Sequence, residues 1–335
     1  MAEVLDKDAY RAIAERALDA WDLQGPQLEL ISISENAVFR VDGGAGKTYA
    51  LRIHRPGYHT LAELNSEQQW TAALNRAGIG VPVPLMTRDG CGYTSISRSG
   101  STETRYVGMV EWIEGVELGS IMEEESDERA LAQRYDQLGR IAAEIHNQAA
   151  SWQIPADFQR HAFDADGFMG ASPFWGPFWE LPELSAIERE LFLRVRRAIH
   201  QILLDYGKAQ GTYSLIHADL HTWNLLENRG QLHVIDFDDA GFGWHQYELA
   251  VALTDLQDSP HFDAVRDALI AGYRSERPLS DAAIDLLPMF LLVRSLALLG
   301  WLNERPEHRS SKWVQGLIDT ACVQAEALLS GTLST

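Results

Sequence analysis

The stretch from Leu215 to Gly243 constrains the fold of this chain more than any other part of the sequence. Short apolar runs typical of strands alternate there with single polar residues. The turn at residues 227–230 folds the second apolar run back onto the first as a hairpin. We expect this hairpin to bring three polar side chains towards one end, those of Asp219, Asn224 and Asp236.

The spacing of these residues indicates their chemistry. His217, Asp219 and Asn224 have the spacing of the kinase catalytic loop H-R-D-x-x-x-x-N, and Asp236-Phe237 matches the start of the metal-binding D-F-G. In that chemistry Asp219 accepts the proton of the attacking hydroxyl, while Asn224 and Asp236 hold a metal on the nucleotide phosphates. Carboxylate and amide oxygens suit Mg²⁺. A buried hairpin with incidental polar residues explains the order and spacing less well.

These motifs resemble a known family. His217 to Asn224 followed by Val234 to Asp239 is similar to the aminoglycoside phosphotransferase and choline kinase family of the protein-kinase-like fold. The run 237–244 most resembles a bacterial subgroup with type II homoserine kinases, hydroxylysine kinases and stress-response Ser/Thr kinases. The resemblance implies an α+β, bilobal fold. A small lobe with a five-stranded antiparallel sheet would cover residues 1–112, and a larger, mainly helical catalytic lobe would cover 113–335.

The resemblance also implies a nucleotide site in the small lobe. The loop 32–37 would cover the ATP phosphates, and Glu35-Asn36 matches a pair that the family usually shows there. An ordinary hairpin turn is the alternative. Backbone groups from Glu111 to Ile113 would hydrogen-bond adenine, unless this segment is only a buried strand.

Arg52 stands where the family usually presents a Lys to the α- and β-phosphates. Arginine can bind phosphate through two donors, although its geometry differs from that of lysine. We expect Glu67, on the helix that follows, to pair with Arg52, and Glu63 is the rival partner. A glycine-rich run ending in Gly-Lys-Thr at 46–48 is not a P-loop, because Val41 replaces the first glycine and a strand follows.

The acceptor is predicted from charge. Asp238, Asp239 and Glu248 would join Asp219 in a negative pocket, which favours a small amino alcohol or hydroxy amino acid such as choline, homoserine or hydroxylysine. Glu248 is alternatively a brace for the catalytic loop. The acidic run 122–128 is read as a solvated helix start rather than a cation site.

The aromatic residues of segment 152–182 have two readings. Aromatic rings near a kinase cleft can hold an ammonium by cation–π contact. A satellite core under a loop is the more common arrangement, and we favour it.

Other functions remain open from the sequence. The subgroup contains Ser/Thr protein kinases, and the wider family contains aminoglycoside kinases. A pseudokinase that only binds ATP is disfavoured by the intact Asp219, Asn224 and Asp236, but Arg52 in place of Lys keeps this reading open.

Composition sets further limits. The 335 residues suit two lobes, and a net charge of −20 argues against a nucleic-acid partner while allowing a cationic substrate. The start of the sequence lacks signal-peptide features. Pro288 and Arg294 interrupt the longest apolar run, Leu286 to Leu302, so we expect a buried helix and no membrane partner. The sequence therefore predicts a cytoplasmic, ATP- and Mg²⁺-dependent kinase, monomeric or homodimeric.

Overall fold

The computed structural model describes residues 5–34, 36–97, 103–123 and 125–332. The chain divides into two compact units. Unit 1 comprises Met1–Val116, Gln153–Gln159 and Leu226–Asp238. Unit 2 comprises Glu117–Trp152, Arg160–Leu225 and Asp239–Thr335. The boundary after residue 112 stays a prediction; here the chain first leaves unit 1 after Val116, and two later segments return to it.

Unit 1 contains a five-stranded antiparallel sheet of strand order β1-β2-β3-β5-β4. Its strands are β1 (Gln27–Ile33), β2 (Ala37–Asp42), β3 (Thr48–Ile53), β4 (Tyr93–Ser97) and β5 (Thr104–Glu111). Alternate residues of β2 and β3 are buried, as a sheet with one face on a core requires. This sheet confirms the predicted α+β, kinase-like fold class.

Two helices accompany this sheet, α1 (Lys7–Ala17) and α2 (Leu61–Arg76). Helix α1 contributes its apolar stripe to the core of the sheet. Helix α2 begins with a capping box in which Thr60 and Glu63 bond each other's backbone N–H. Glu63 is therefore engaged at the helix start, which leaves Glu67 as the carboxylate that faces Arg52.

Six short strands follow: β6 (Val116–Glu117), β7 (Ala162–Phe163), β8 (Tyr213–Ile216), β9 (Leu225–Asn228), β10 (Gln231–Val234) and β11 (Gly241–Trp244). They form two three-stranded sheets, ordered β10-β9-β6 and β7-β11-β8. The two residues between β9 and β10, Arg229 and Gly230, have φ of 53° and 84°. Positive φ at both positions is the geometry of a tight hairpin turn, so the predicted hairpin is confirmed.

Unit 2 is mainly helical. Its helices are α3 (Leu118–Glu123), α4 (Glu128–Ser151), α5 (Ala165–Met169), α6 (Ala186–Tyr206), α7 (His245–Leu253), α8 (Phe262–Glu276), α9 (Asp281–Ile284), α10 (Leu287–Glu304) and α11 (Ser311–Ser330). Helices α4 and α8 pack closely through glycines. A Cβ at Gly139 would lie 2.1 Å from the carbonyl oxygen of Leu269, and one at Gly272 would lie 2.0 Å from that of Asp136.

From Arg160 onwards the aromatic segment belongs to unit 2 and contributes to its core. Its buried rings stack on one another and on α7, with centroids 4.6 Å apart for Phe163 and Trp175 and 4.5 Å apart for Phe168 and Tyr247. Phe178 is also buried and lies against Phe192 of α6. The structure thus supports the core interpretation for these rings.

Within the described ranges, one helical stretch, Asp281–Glu304, is long and apolar enough to cross a membrane. Two thirds of its most apolar window, 67%, is buried inside the structure. It includes α10, which has Pro288 in its first turn, where a missing N–H is tolerated. Such burial is typical of the core helix of a folded domain, so length and composition are weak support for a membrane span.

We predict that Gly272→Ala lowers the free energy of unfolding by about 2 to 3 kcal/mol, because the added methyl overlaps the backbone of α4. Gly316→Ala on α11 is the matched control. No atom lies within 4 Å of a Cβ there, and alanine favours a helix over glycine by up to about 1 kcal/mol. Urea unfolding of both variants measures the difference. Equal stability of the two variants would contradict the close packing of α4 and α8.

Candidate active site

A buried carboxylate holds the backbone of the loop that follows β8. Glu248 of α7 is fully buried, and its two oxygens accept the N–H groups of His217 and Ala218, each at 2.7 Å. Ala218 has a left-handed φ of 67°, which is uncommon for a residue with a Cβ. Burial, opposed by the charge of His217 and by these hydrogen bonds, raises the pKa of Glu248 above its ordinary value.

Through these two hydrogen bonds Glu248 supports the backbone of the loop. Direct contact of Glu248 with a substrate would require it to leave both hydrogen bonds and its buried position. Of the two roles expected for Glu248, support of the catalytic loop is therefore the one that its contacts perform. Strain at Ala218 is stored beside the candidate catalytic residue, as is common at active sites.

Asp219 is held by three donors. Its Oδ1 lies 2.6 Å from Nη2 of Arg294, and its Oδ2 lies 3.2 Å from Nε2 of His221 and 3.1 Å from Nδ2 of Asn224. Burial alone would raise the pKa of Asp219, but the charges of His221 and Arg294 outweigh it and hold this pKa well below its usual range. The side chain is 24% exposed, so an ionised oxygen acceptor remains within reach of a ligand.

Asn224 closes the same loop. It ends the short 3-10 helix Thr222–Asn224, and its Nδ2 also donates to the carbonyl oxygen of Asp219 at 2.9 Å. Because the amide nitrogen is used as a donor, the amide oxygen is the atom with ligand chemistry. The proposed metal role of Asn224 is compatible with this arrangement.

A cluster of opposite charges occupies unit 1. Arg52, on β3, lies 3.3 Å from Oε1 of Glu67, 2.7 Å from Oδ1 of Asp236 and 3.5 Å from Oδ1 of Asp238. Burial acts to lower the pKa of Arg52, but these carboxylates raise it above the ordinary value. The pairing of Arg52 with Glu67 is thus present. Asp236 has a φ of 64° and a side chain 50% exposed, so it combines backbone strain with accessibility.

Asp238 has a different environment from the open acidic pocket that we expected. It is 6% exposed, and it lies 3.5 Å from Nδ1 of His54 and 3.2 Å from Nδ2 of Asn36, in addition to Arg52. Burial opposes its ionisation, yet His54 and Arg52 hold the pKa of Asp238 below its usual range. A carboxylate neutralised in this way is better suited to fixing the segment after Asp236 than to binding a substrate ammonium.

The predicted phosphate loop is described only in part. The side chain of Asn36 is buried and connects two segments, because it donates to Asp238 while its Oδ1 accepts the N–H of Arg55 at 3.2 Å. Asn36 therefore anchors the start of β2. Glu35, its predicted partner on the phosphates, lies outside the described residues.

Two backbone N–H groups of the segment predicted to bond adenine already have partners in the sheet. The N–H of Glu111 donates to the carbonyl oxygen of Val83 at 2.8 Å, and the N–H of Trp112 donates to that of Thr48 at 3.0 Å. These two donors stabilise the sheet and are not available to a base. The N–H of Ile113 is the candidate donor in this segment.

Asp239 belongs to unit 2. Its carbonyl oxygen lies 3.1 Å from Nε2 of His161, and the residue is half-buried. Asp238 is thus paired with cations in unit 1 and Glu248 braces a loop in unit 2, while an acceptor role for Asp239 stays a prediction.

Unit 2 contains a cavity of about 1010 Å³ beside the catalytic loop. His221, Thr222 and Trp223 of that loop line it, together with Arg294. Its wall also carries four carboxylates and two aromatic rings: Glu123, Glu125, Asp255, Asp258, Tyr135 and Trp313. The acidic run 122–128, which sequence reasoning favoured as a solvated helix start, supplies two of these carboxylates.

Sequence reasoning missed Arg294, His221 and the aspartates at 255 and 258. A signal for Arg294 was present, since a single charge in an otherwise apolar helix needs a partner when it is buried. The aspartates carried no comparable signal, because acidic residues near helix ends are usually solvated.

The fold is that of a kinase. Residues 27–283 match the profile of the Phosphotransferase enzyme family, so the chain belongs to this family and is a phosphotransferase. A microcompartment-associated aminopropanol kinase of known structure is 33% identical, with a TM-score of 0.83, and the match covers 96% of this chain and 99% of that one.

Two more distant relatives are also named as kinases. An amicoumacin kinase, solved in complex with AMP-PNP and Ca²⁺, is 19% identical with a TM-score of 0.78, covering 97% of this chain and 94% of that one. A homoserine kinase of Rhizobium johnstonii is 28% identical over 221 residues, which are 64% of this chain and 61% of that protein.

We predict that unit 2 loses stability in acid through two buried histidines. The rings of His146 and His245 stack 4.1 Å apart; Nδ1 of His146 lies 2.9 Å from the hydroxyl of Tyr273, and its Nε2 lies 3.6 Å from Glu248. The pKa of His146 is lowered mainly by burial and then by the charge of Arg277. The pKa of His245 is lowered by burial, by His146 and by Arg277. Both are therefore neutral when folded, whereas the unfolded chain takes up protons below about pH 6.5.

Stability should consequently fall as the pH decreases below about 6.5, by up to about 1.4 kcal/mol per pH unit for each histidine. Urea unfolding at pH 7.5 and pH 5.0 measures this loss. The double variant His146→Gln/His245→Asn should show a smaller loss between the two pH values. An unchanged pH dependence in this variant would mean that other groups cause the acid sensitivity.

Proposed function

We propose that this protein is an ATP- and Mg²⁺-dependent kinase that transfers the γ-phosphoryl group to the hydroxyl of a small, cationic amino alcohol. The observation that carries the proposal is Asp219, kept ionised in a loop that lines a cavity with four carboxylates on its wall. The likeness to an aminopropanol kinase over nearly the whole length of both chains supports it.

Asp219 would act on the acceptor. Its ionised carboxylate accepts a hydrogen bond from the acceptor hydroxyl and orients the oxygen towards the γ-phosphorus. The new P–O bond forms as the bond to the β-phosphate oxygen breaks, ADP leaves, and the hydroxyl proton passes to Asp219. Positioning supplies much of the rate in such reactions.

Asn224 and Asp236 would hold Mg²⁺, because an amide oxygen and an accessible carboxylate form the hard oxygen donor set that this ion prefers. When bound, the ion neutralises charge on the phosphates. Arg52 would contact the phosphates, with Glu67 keeping its guanidinium in place. Asn36 and Ile113 would complete the nucleotide site as a loop anchor and an adenine donor. The complex of an amicoumacin kinase with AMP-PNP and Ca²⁺ supports a nucleotide with a divalent cation.

The charges of the cavity favour an ammonium over a carboxylate. Arg294 and His221 are already paired with Asp219, which leaves Lys312 as the lining lysine or arginine that faces four carboxylates. Trp223 is 37% exposed on the same wall and offers an aromatic face to a cation. An amino alcohol without a carboxylate therefore fits better than homoserine, whose carboxylate would meet this negative field.

The direct test is an ADP-release screen with Mg²⁺ and ATP. We expect turnover with 1-amino-2-propanol, ethanolamine or choline to exceed that with homoserine, hydroxylysine, an aminoglycoside or a Ser-containing protein substrate. Asp219→Asn should lower kcat by about 10²- to 10⁴-fold with little change in the affinity for ATP. Asp236→Asn should weaken the metal-dependent affinity for the nucleotide.

A preference for homoserine or for a protein substrate would reject the amino alcohol and keep the kinase assignment. Normal turnover by either variant would reject the role given to that residue. Nucleotide binding without turnover of any acceptor would instead indicate a pseudokinase.

The carboxylates that line the cavity lead to a further prediction. The double variant Glu123→Gln/Asp255→Asn should raise KM for the cationic acceptor by about five- to thirtyfold, since each exposed ion contact contributes up to about 1 kcal/mol. KM for ATP should not change. Glu190→Gln on α6, a carboxylate 65% exposed and not on the cavity wall, is the control. An equal effect of the control would mean that only the overall charge of the protein matters.

A further inference from the structure

We propose that Arg294 is a positioning residue that fixes the orientation of the Asp219 carboxylate for the acceptor hydroxyl. The proposal rests on the proposed function, because it assigns Asp219 to the acceptor. It adds a residue from α10, more than seventy positions along the chain, to the machinery of the catalytic loop.

The contacts of Arg294 are directed at one carboxylate. Its Nη2 lies 2.6 Å from Oδ1 of Asp219, and its Nη1 lies 3.5 Å from the hydroxyl of Tyr247. The guanidinium carbon lies 5.9 Å from the ring centroid of Trp175. One face of the guanidinium thus lies against an aromatic ring, while one edge contacts Asp219. Together these contacts restrict both the position and the orientation of the guanidinium.

Burial of the Arg294 guanidinium among apolar side chains would destabilise the fold if the group had no partner. The residue is 8% exposed, and its neighbours on α10 are almost all buried apolar side chains. Removing a guanidinium from water costs several kcal/mol unless a partner compensates. Burial acts to lower the pKa of Arg294, but Tyr247 and Asp219 keep it above the ordinary value, so the group stays charged.

Two separate contacts then fix the catalytic loop. Glu248 of α7 holds the backbone N–H groups of His217 and Ala218, while Arg294 of α10 holds the side chain of Asp219. Removing Arg294 leaves the backbone brace in place and frees the carboxylate to rotate. Arg294 also lines the cavity, so its contact defines the side from which an acceptor approaches Asp219.

A small rotation is enough to matter. Displacing a reacting group by about 1 Å can lower a rate by about 100-fold, even when the substrate still binds. Loss of Arg294 should therefore reduce kcat far more than it changes KM for ATP. A structural role in α10 alone would lower stability and leave the kinetics of the folded fraction unchanged.

The experiment compares three single variants in the full chain, by ADP release with the best acceptor from the screen. Arg294→Met should lower kcat by about 100-fold, and Arg294→Lys, which keeps the charge, should recover about a tenth of the wild-type kcat. Arg305→Met is the matched control: this buried arginine caps the end of the same helix, and its guanidinium carbon lies 5.1 Å from the ring centroid of Trp301. It should keep kcat within about threefold of wild type, and thermal unfolding reports the folded fraction of each variant.

A double-mutant cycle isolates the path through Asp219. In an Asp219→Asn background, Arg294→Met should cause less than about a threefold further loss, because the orientation of the carboxylate no longer matters. An undiminished 100-fold loss in that background would overturn the proposal, as would a wild-type kcat for Arg294→Met.

The same cycle is also run on ATP hydrolysis without an acceptor, where water replaces the alcohol. This arm separates the two proposals. If no amino alcohol is turned over but the cycle on hydrolysis shows the coupling, the substrate assignment fails and the role of Arg294 stands. If an amino alcohol is turned over but no coupling between Asp219 and Arg294 is seen, the substrate assignment stands and the role of Arg294 fails.

Discussion

The candidate active site in unit 2 depends on one buried carboxylate that accepts two adjacent backbone N–H groups. Glu248 forms these bonds at 2.7 Å in a fully buried position, where hydrogen bonds to a charged group are strong and their loss is costly. They stabilise the left-handed conformation of Ala218, and that conformation directs Asp219. The loop is thus defined by a residue that would not itself touch the substrate.

A second feature is that carboxylates in both units have cationic partners close by. Arg294 and His221 pair with Asp219 in unit 2, whereas Arg52 and His54 pair with the carboxylates of Asp236 and Asp238 in unit 1. These pairs give the carboxylates of Asp219 and Asp238 cationic partners, without which buried charge is costly. The lining carboxylates of the cavity retain their negative field, which is where a cationic acceptor would be attracted.

Most of the fold and part of the site could be predicted from the sequence. Strands β1 to β3, the hairpin β9–β10 and the apolar helix α10 follow from local periodicity and turn residues. The pair of Arg52 and Glu67 followed from resemblance. The contact of Asn36 with Asp238 could not be predicted, because the two residues are 202 positions apart and their meeting depends on packing.

The sequence by itself determined which functional groups the chain possesses and in which order, because the spacing of a catalytic loop is a local property of the backbone. Only the tertiary structure decided how these groups are charged and held. Asp219 meets Arg294 across 75 positions, and carboxylates from two separate segments line one cavity. Such contacts depend on the angles at which helices pack, and these angles arise from the whole set of buried side chains rather than from any single stretch.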